Sequence, residues 1–154
     1  MIYIISGKQN SGKTTYIKTL HKQLGGDGFI TEKIIENLEF KGYTLKRLKT
    51  NETHLFIVEN NVCTNDHVIK NKRFSFYKNC FELAEQWIDE IINENISPIY
   101  IDEVGKLELN DKGFNNILYK LINSNLSFYI TAREDNVALF LQKFEINNYK
   151  VIHL

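Results

Sequence analysis

The stretch Gly7-Lys8-Gln9-Asn10-Ser11-Gly12-Lys13-Thr14-Thr15 constrains this chain more than any other part of it. It fits Gly-x-x-x-x-Gly-Lys-[Ser/Thr], and its flanks matter as much as its letters. "IYIIS" at 2–6 reads as a short buried parallel strand, and from Thr14 to Leu24 the apolar Ile17, Leu20 and Leu24 recur at helical spacing. A strand that turns through glycines directly into a helix leaves successive backbone N–H groups converging at the helix N-terminus. Unpaired donors and the macrodipole there favour an anion. All nine residues from Gly7 to Thr15 are therefore expected to wrap a chain of phosphates, with Lys13 reaching the β- and γ-phosphates and the Thr14 hydroxyl offering a ligand to Mg²⁺.

The remaining pattern surrounds that loop with alternating strands and helices. "GGDG" at 25–28 stops the first helix, and a strand starts at Phe29. Residues 39–49 and 54–59 bunch β-formers around the turn "TNET", which predicts an antiparallel excursion rather than another crossover. Asn79 is the expected N-cap of a helix whose apolar stripe runs Phe81, Ala84, Trp87, Ile88, Ile91 and Ile92, with Trp87 as a core anchor rather than a base-stacking residue. Next come a strand at 99–102, a helix marked by Phe114, Ile117, Leu118, Leu121 and Ile122, and a strand "SFYIT" at 127–131. A short helix over 135–144 and a final strand "YKVIHL" complete the chain. Such alternation implies right-handed parallel βαβ units, so the expected fold is three-layer α/β within one domain of 154 residues.

Charge and composition narrow the partners. With 19 basic and 19 acidic residues, no global field draws the chain to nucleic acid or to an anionic membrane. No apolar run approaches the roughly 20 residues that span a bilayer, and no signal-peptide pattern precedes "IYII", so a cytoplasmic monomer is expected. Cys63 and Cys80 are isolated and read as ordinary reduced thiols, while His21, His54, His67 and His153 are too scattered for a zinc site.

"PIYIDEVGKLEL" at 98–109 holds the second chemical signal. Neighbouring side chains inside a strand point to opposite faces, so Asp102 and Glu103 could serve one target only at a strand end that opens into a crevice. A buried carboxylate also needs a cation or several donors. The sheet's carboxyl edge is where the phosphate loop sits as well, and the missing cation is then Mg²⁺. Asp102 would hold it through a coordinated water. Glu103, one residue on, would take the proton of a water attacking the γ-phosphate.

A phosphate loop of the Walker A type, with the acidic Walker B pair at the end of a later strand, resembles the additional-strand branch of P-loop NTPases. In that branch another strand lies between these two, and here "SFYIT" would be that strand. Thr131 at its tip would then stand where its hydroxyl could hold the attacking water. "IDEVGKLEL" at 101–109 together with "GFITE" at 28–32 resembles the small nucleoside-triphosphatases of the thermophile and cancer-related NTPase family. The resemblance implies a RecA-like fold and slow, Mg²⁺-dependent hydrolysis of ATP, GTP and other nucleoside triphosphates, with little base discrimination. Lys106 falls on the family's motif lysine. The sequence stops at Leu154, short of a polar tail expected in relatives, and Asn60 to Lys72 lacks the glycine-rich character expected there. Guanine-reading Asn-Lys-x-Asp is absent, since Asn71 to Phe74 has phenylalanine in place of the acid.

Two other readings stay open from sequence. A small-molecule or nucleoside kinase uses the same loop but needs an acceptor pocket and usually a lid with arginines. A nucleotide-dependent switch could use the excursion over 36–78 as a partner surface. Of the three arginines, Arg47, Arg73 and Arg133, only Arg133 is tied by sequence to the active edge, two residues beyond the tip of "SFYIT". It would either face the transferring phosphoryl group or pair with Glu134 or Asp135.

Overall fold

Apolar residues in the central strands are placed so that each strand feeds both faces of one sheet. The computed structural model describes residues 1–63 and 65–154. In chain order the elements are β1 (Ile2–Gly7), α1 (Lys13–Leu24), β2 (Asp27–Glu36), β3 (Glu39–Arg47), β4 (Thr53–Glu59), β5 (Val68–Asn71), β6 (Phe74–Tyr77) and α2 (Lys78–Asn93). There follow β7 (Ile99–Val104), α3 (Lys106–Leu109), α4 (Asn115–Asn123), β8 (Phe128–Arg133), a 3₁₀ turn (Glu134–Asn136), α5 (Val137–Lys143) and β9 (Tyr149–His153). The described strands form one nine-stranded sheet in the order β5-β6-β4-β3-β2-β7-β8-β1-β9. From β2 to β9 neighbouring strands are parallel, and from β2 to β5 they are antiparallel.

Alternation along the strands sorts the core into two layers. Ile4, Phe29, Ile99, Ile101, Phe128 and Ile130 face the layer that α2, α4 and α5 cover. Their neighbours Ile5, Ile30 and Tyr100 face α1, where Ile17 is fully buried against them. Three layers result, with α1 alone on one face. The α2 stripe buries Cys80, Ala84, Trp87, Ile88 and Ile91. Each large apolar side chain so buried contributes about 1.5–3 kcal/mol, which is why the stripe and not local propensity sets this helix.

The order β7-β8-β1 puts an additional strand between those that carry the acidic pair and the phosphate loop, as the sequence suggested. Boundaries differ in places. The α2 helix starts at Lys78 with Tyr77 as its N-cap, not Asn79, because β6 runs directly into it and packing overrides the side-chain cap. The 127–131 strand is β8 at Phe128–Arg133, so Arg133 is the last residue of the strand itself and pairs with Gly7. The excursion stays within the expected 36–78, but it holds a second hairpin, β5 with β6, that no strong alternation announced. No helix among the described residues is long and apolar enough to cross a membrane.

Candidate active site

The phosphate loop lies at the carboxyl end of β1. Gly7 leaves room for the loop to fold back on it, since a Cβ there would stand 2.3 Å from Ser11 Oγ and force that hydroxyl to turn away. Gly12, just before α1, has φ of +93°, the left-handed region that glycine enters without steric cost. Between them Lys8, Gln9 and Asn10 are exposed and Ser11 is partly so. Lys13 is buried, and its ammonium folds back to donate to the carbonyls of Lys8 (2.6 Å) and Gly7 (3.3 Å) and to Ser11 Oγ (3.5 Å). The charge is thus stored against its own loop. Thr14 and Thr15 open α1, and the loop tip is tied down from two sides. Lys33 Nζ donates to Asn10 Oδ1 at 2.6 Å, and Arg133 Nη2 donates to Gln9 Oε1 at 3.0 Å.

The acidic pair reaches one crevice by a device the strand rule did not foresee. In the β7–β8 ladder Ile101 pairs with Ile130 and Val104 with Ala132, so Asp102 and Glu103 together stand opposite the single residue Thr131. This is a β-bulge, which re-aims a side chain at the expense of regular pairing. Glu103 takes φ of +65°, a strained conformation for a non-glycine residue and one that clusters at functional sites. Asp102 keeps the strand orientation, on the α1 face, fully buried.

Three donors satisfy Asp102. Thr14 Oγ1 (2.7 Å) and the Thr31 backbone N–H (3.1 Å) donate to Oδ2, and Thr131 Oγ1 (2.6 Å) donates to Oδ1. Burial raises its carboxyl above the ordinary range, while those hydrogen bonds and the Lys13 charge pull it back. Thr131 also accepts the Glu103 backbone N–H at 2.8 Å. One buried hydroxyl therefore clamps both acids, and its only proton is given to Asp102. Glu103 is solvent-exposed at the crevice mouth. Desolvation by the crevice walls and then the Asp102 charge raise its carboxyl, against Lys13, Arg133 and Lys33.

Thr14 Oγ1 and Asp102 Oδ2 are adjacent oxygens of the kind hard divalent cations take, so the residues fit such a cation. The expected pairing of Arg133 with Glu134 or Asp135 is not made, since its guanidinium lies on Gln9. Arg47 is spent elsewhere, on buried Asp27 (2.8 Å) and on Glu90 (2.6 Å).

Sequence reasoning missed several residues here. Thr31 sits at the site because β2 runs parallel beside β7. Its neighbour Glu32 lines the crevice, ion-paired to Lys18 and Lys46. Glu108 is buried after the bulge, accepting the N–H groups of Gly105 (2.8 Å) and Phe114 (3.1 Å), and burial pushes its carboxyl up to about 7. An acid three residues after a helix N-cap is a legible capping signal, and Gly105-x-x-Glu108 carried it. Lys106, between the bulge and Glu108, is exposed along the same crevice.

The crevice encloses about 630 Å³, lined at one end by Gln9 to Thr15 and at the other by aromatic side chains from the antiparallel half. A family model described as NTPase matches residues 2–154. Two relatives named nucleoside-triphosphatase THEP1, from Thermotoga sp. (strain RQ2) and Thermotoga maritima, are 27% and 26% identical over 155 residues, covering 99% of this chain and 84% of each relative. Among solved structures, the crystal structure of THEP1 from the hyperthermophile Aquifex aeolicus is similar with a TM-score of 0.75 at 22% identity, over 100% of this chain and 90% of that one. The solution structure of a human cancer-related nucleoside triphosphatase follows at 0.73 and 17%, over 99% and 87%. At these identities the two structures show a shared P-loop fold.

Proposed function

The chain belongs to the NTPase family, and from that premise we propose that it is a Mg²⁺-dependent phosphohydrolase that cleaves nucleoside triphosphates, ATP and GTP among them, to the diphosphate and phosphate. The observation that carries this reading is the bulge at Asp102 and Glu103, two acids held by Thr131 beside the hydroxyl of Thr14. The backbone N–H groups from Lys8 to Thr15 bind the phosphate chain at the α1 N-terminus. Lys13 leaves its loop carbonyls for the terminal phosphates, a charge-assisted exchange that favours the bound state. Thr14 and Asp102 hold Mg²⁺, which when bound neutralises charge developing on the phosphate oxygens.

Glu103 takes the proton of the attacking water. Its carboxyl, raised by the crevice and by Asp102, is a better proton acceptor than an ordinary surface glutamate, and its exposure lets water reach it. Thr131 positions the two acids, donating to Asp102 and accepting the Glu103 N–H, and the remaining lone pair of its hydroxyl oxygen holds the attacking water. Arg133, at the end of β8 and against the loop tip, supplies a planar cation toward the transferring phosphoryl group. Little base discrimination is what membership of the family implies, and no Asn-Lys-x-Asp string favours guanine. Release of phosphate from ATP with Mg²⁺ and no other acceptor tests the proposal. If wild-type protein releases none, the hydrolase reading is wrong.

A further inference from the structure

The phosphate chemistry uses only one end of the crevice. Its other end, across Glu103 from the phosphate loop, is walled by Tyr43 of β3, Phe56 of β4, Phe76 of β6, Phe81 of α2 and Phe114 ahead of α4. These rings meet one another largely edge to face or tilted, with centroids 5.0 Å apart for Phe81 and Phe114, 5.1 Å for Phe56 and Phe81, and 5.7 Å for Phe56 and Phe76. Protein interiors normally close such apolar space to near-crystalline density. Here Phe56 and Phe114 are themselves buried, while Tyr43, Phe76 and Phe81 are only partly covered and line a crevice that Glu103 also lines. An apolar, aromatic-lined cavity with a few convergent polar groups is the usual form of a small-molecule site.

Position decides what such a ligand would do. The residue that takes the nucleophile's proton must touch the nucleophile, so attack on the γ-phosphate comes from the side of Glu103. The strand order places β1 and its loop on one side of β7, and β3, β4 and β6 on the other. The aromatic chamber therefore opens where the nucleophile enters. Tyr43 lines this crevice together with Glu103 and Arg133.

We propose that the aromatic end of the crevice binds a planar aromatic or heteroaromatic alcohol, and that its hydroxyl replaces water as acceptor of the γ-phosphoryl group. This rests on the hydrolase reading, since it uses the same phosphate loop and the same base. In the step, the alcohol oxygen forms a bond to the γ-phosphorus and the bond from that phosphorus to the β,γ-bridging oxygen breaks. The alcohol proton goes to Glu103, and the products are a phosphate monoester and the nucleoside diphosphate. Hydrolysis is then the reaction that runs when the chamber holds only water.

Benzyl alcohol, 2-naphthalenemethanol and pyridoxine serve as probes. Saturation-transfer NMR on the full chain without nucleotide should show magnetisation passing to the aromatic protons of at least one probe. With γ-³²P-ATP and Mg²⁺, label should appear on that probe as a phosphate monoester. Leu107, partly buried on α3, lines the chamber, and Leu107→Trp would fill it from the rim. The variant should lower the ratio of transfer to hydrolysis at least tenfold. Continued ATP hydrolysis with no saturation transfer to any probe would overturn the second site, and binding without labelled ester would overturn the acceptor role. If ATP is not cleaved with or without probe, the hydrolase reading itself fails and the acceptor assignment falls with it.

Discussion

The two walls of the crevice are built by opposite means. On the polar wall, Lys13, Thr14, Asp102, Glu103 and Thr131 all lie at the ends of the parallel strands β1, β7 and β8 or within a few residues of them, and hydrogen bonds of 2.6–3.3 Å pin them. On the aromatic wall, Tyr43, Phe56, Phe76 and Phe81 come from four separate elements and Phe114 from just ahead of α4, and they hold one another by packing. A parallel strand end delivers polar groups to one edge because every strand points the same way. An antiparallel excursion delivers an apolar surface because alternate residues share a face. Polar groups thus gather at the ends of the parallel strands, and apolar surface is supplied from the antiparallel side.

The largest effect that would sharpen this contrast is expected at Glu103. Glu103→Gln keeps shape and loses basicity, so turnover should fall by on the order of a hundredfold or more with ATP affinity retained. Turnover within twofold of wild type would move the base elsewhere on the polar wall. Lys13→Ala removes a charge-assisted contact of roughly 1.5–3 kcal/mol, and calorimetry should find ATP binding weaker by roughly ten- to a hundredfold. Unchanged affinity would sink the assignment of the loop.

Arg133 offers a smaller and sharper test, because it is exposed yet rests on the loop tip. Arg133→Ala should lower turnover by roughly tenfold or more and ATP affinity much less, with Arg133→Lys in between, since only the planar fork matches the phosphoryl oxygens. Equal steady-state rates for all three proteins would leave Arg133 a mere tether of Gln9.

The smallest effect lies behind the bulge. Glu108 has its carboxyl raised from 4.5 to about 7, so the folded chain holds a proton that the unfolded chain has released. Its stabilising contribution is full below about pH 4.5 and is lost as pH rises through about 7, amounting to about 1 kcal/mol between pH 6 and 8. Melting temperature should drift down over that interval in wild type and less in Glu108→Gln. An identical drift in both proteins would remove Glu108 as its source.

Much of the polar wall was legible in the linear chain. Gly7 to Thr15 needs a strand before it and a helix after it, and both were written in local periodicity, so loop, Lys13 and Thr14 could be placed without any distant contact. The alternation of "IYIIS", "PIYID" and "SFYIT" with apolar helical stripes likewise determined an α/β sheet and which edge would carry the site. Local signals failed where packing took over. Tyr77 replaced Asn79 as the α2 N-cap, and β5 and β6 paired although neither had a strong pattern of its own.

What only the tertiary structure decided depends on registers between strands far apart in sequence. That Asp102 and Glu103 share one partner, Thr131, follows from a bulge in the β7–β8 ladder, and no residue type in "IDEV" encodes a +65° φ at glutamate. That Arg47 is bound to Asp27 and Glu90 while Arg133 reaches Gln9 is equally a matter of which strands lie side by side. The aromatic chamber is the extreme case, since its residues span positions 43 to 114 and acquire a common wall only when β3, β4 and β6 extend the sheet beyond β2. Periodicity is a property of neighbours along the chain, whereas a cavity is a property of neighbours in space.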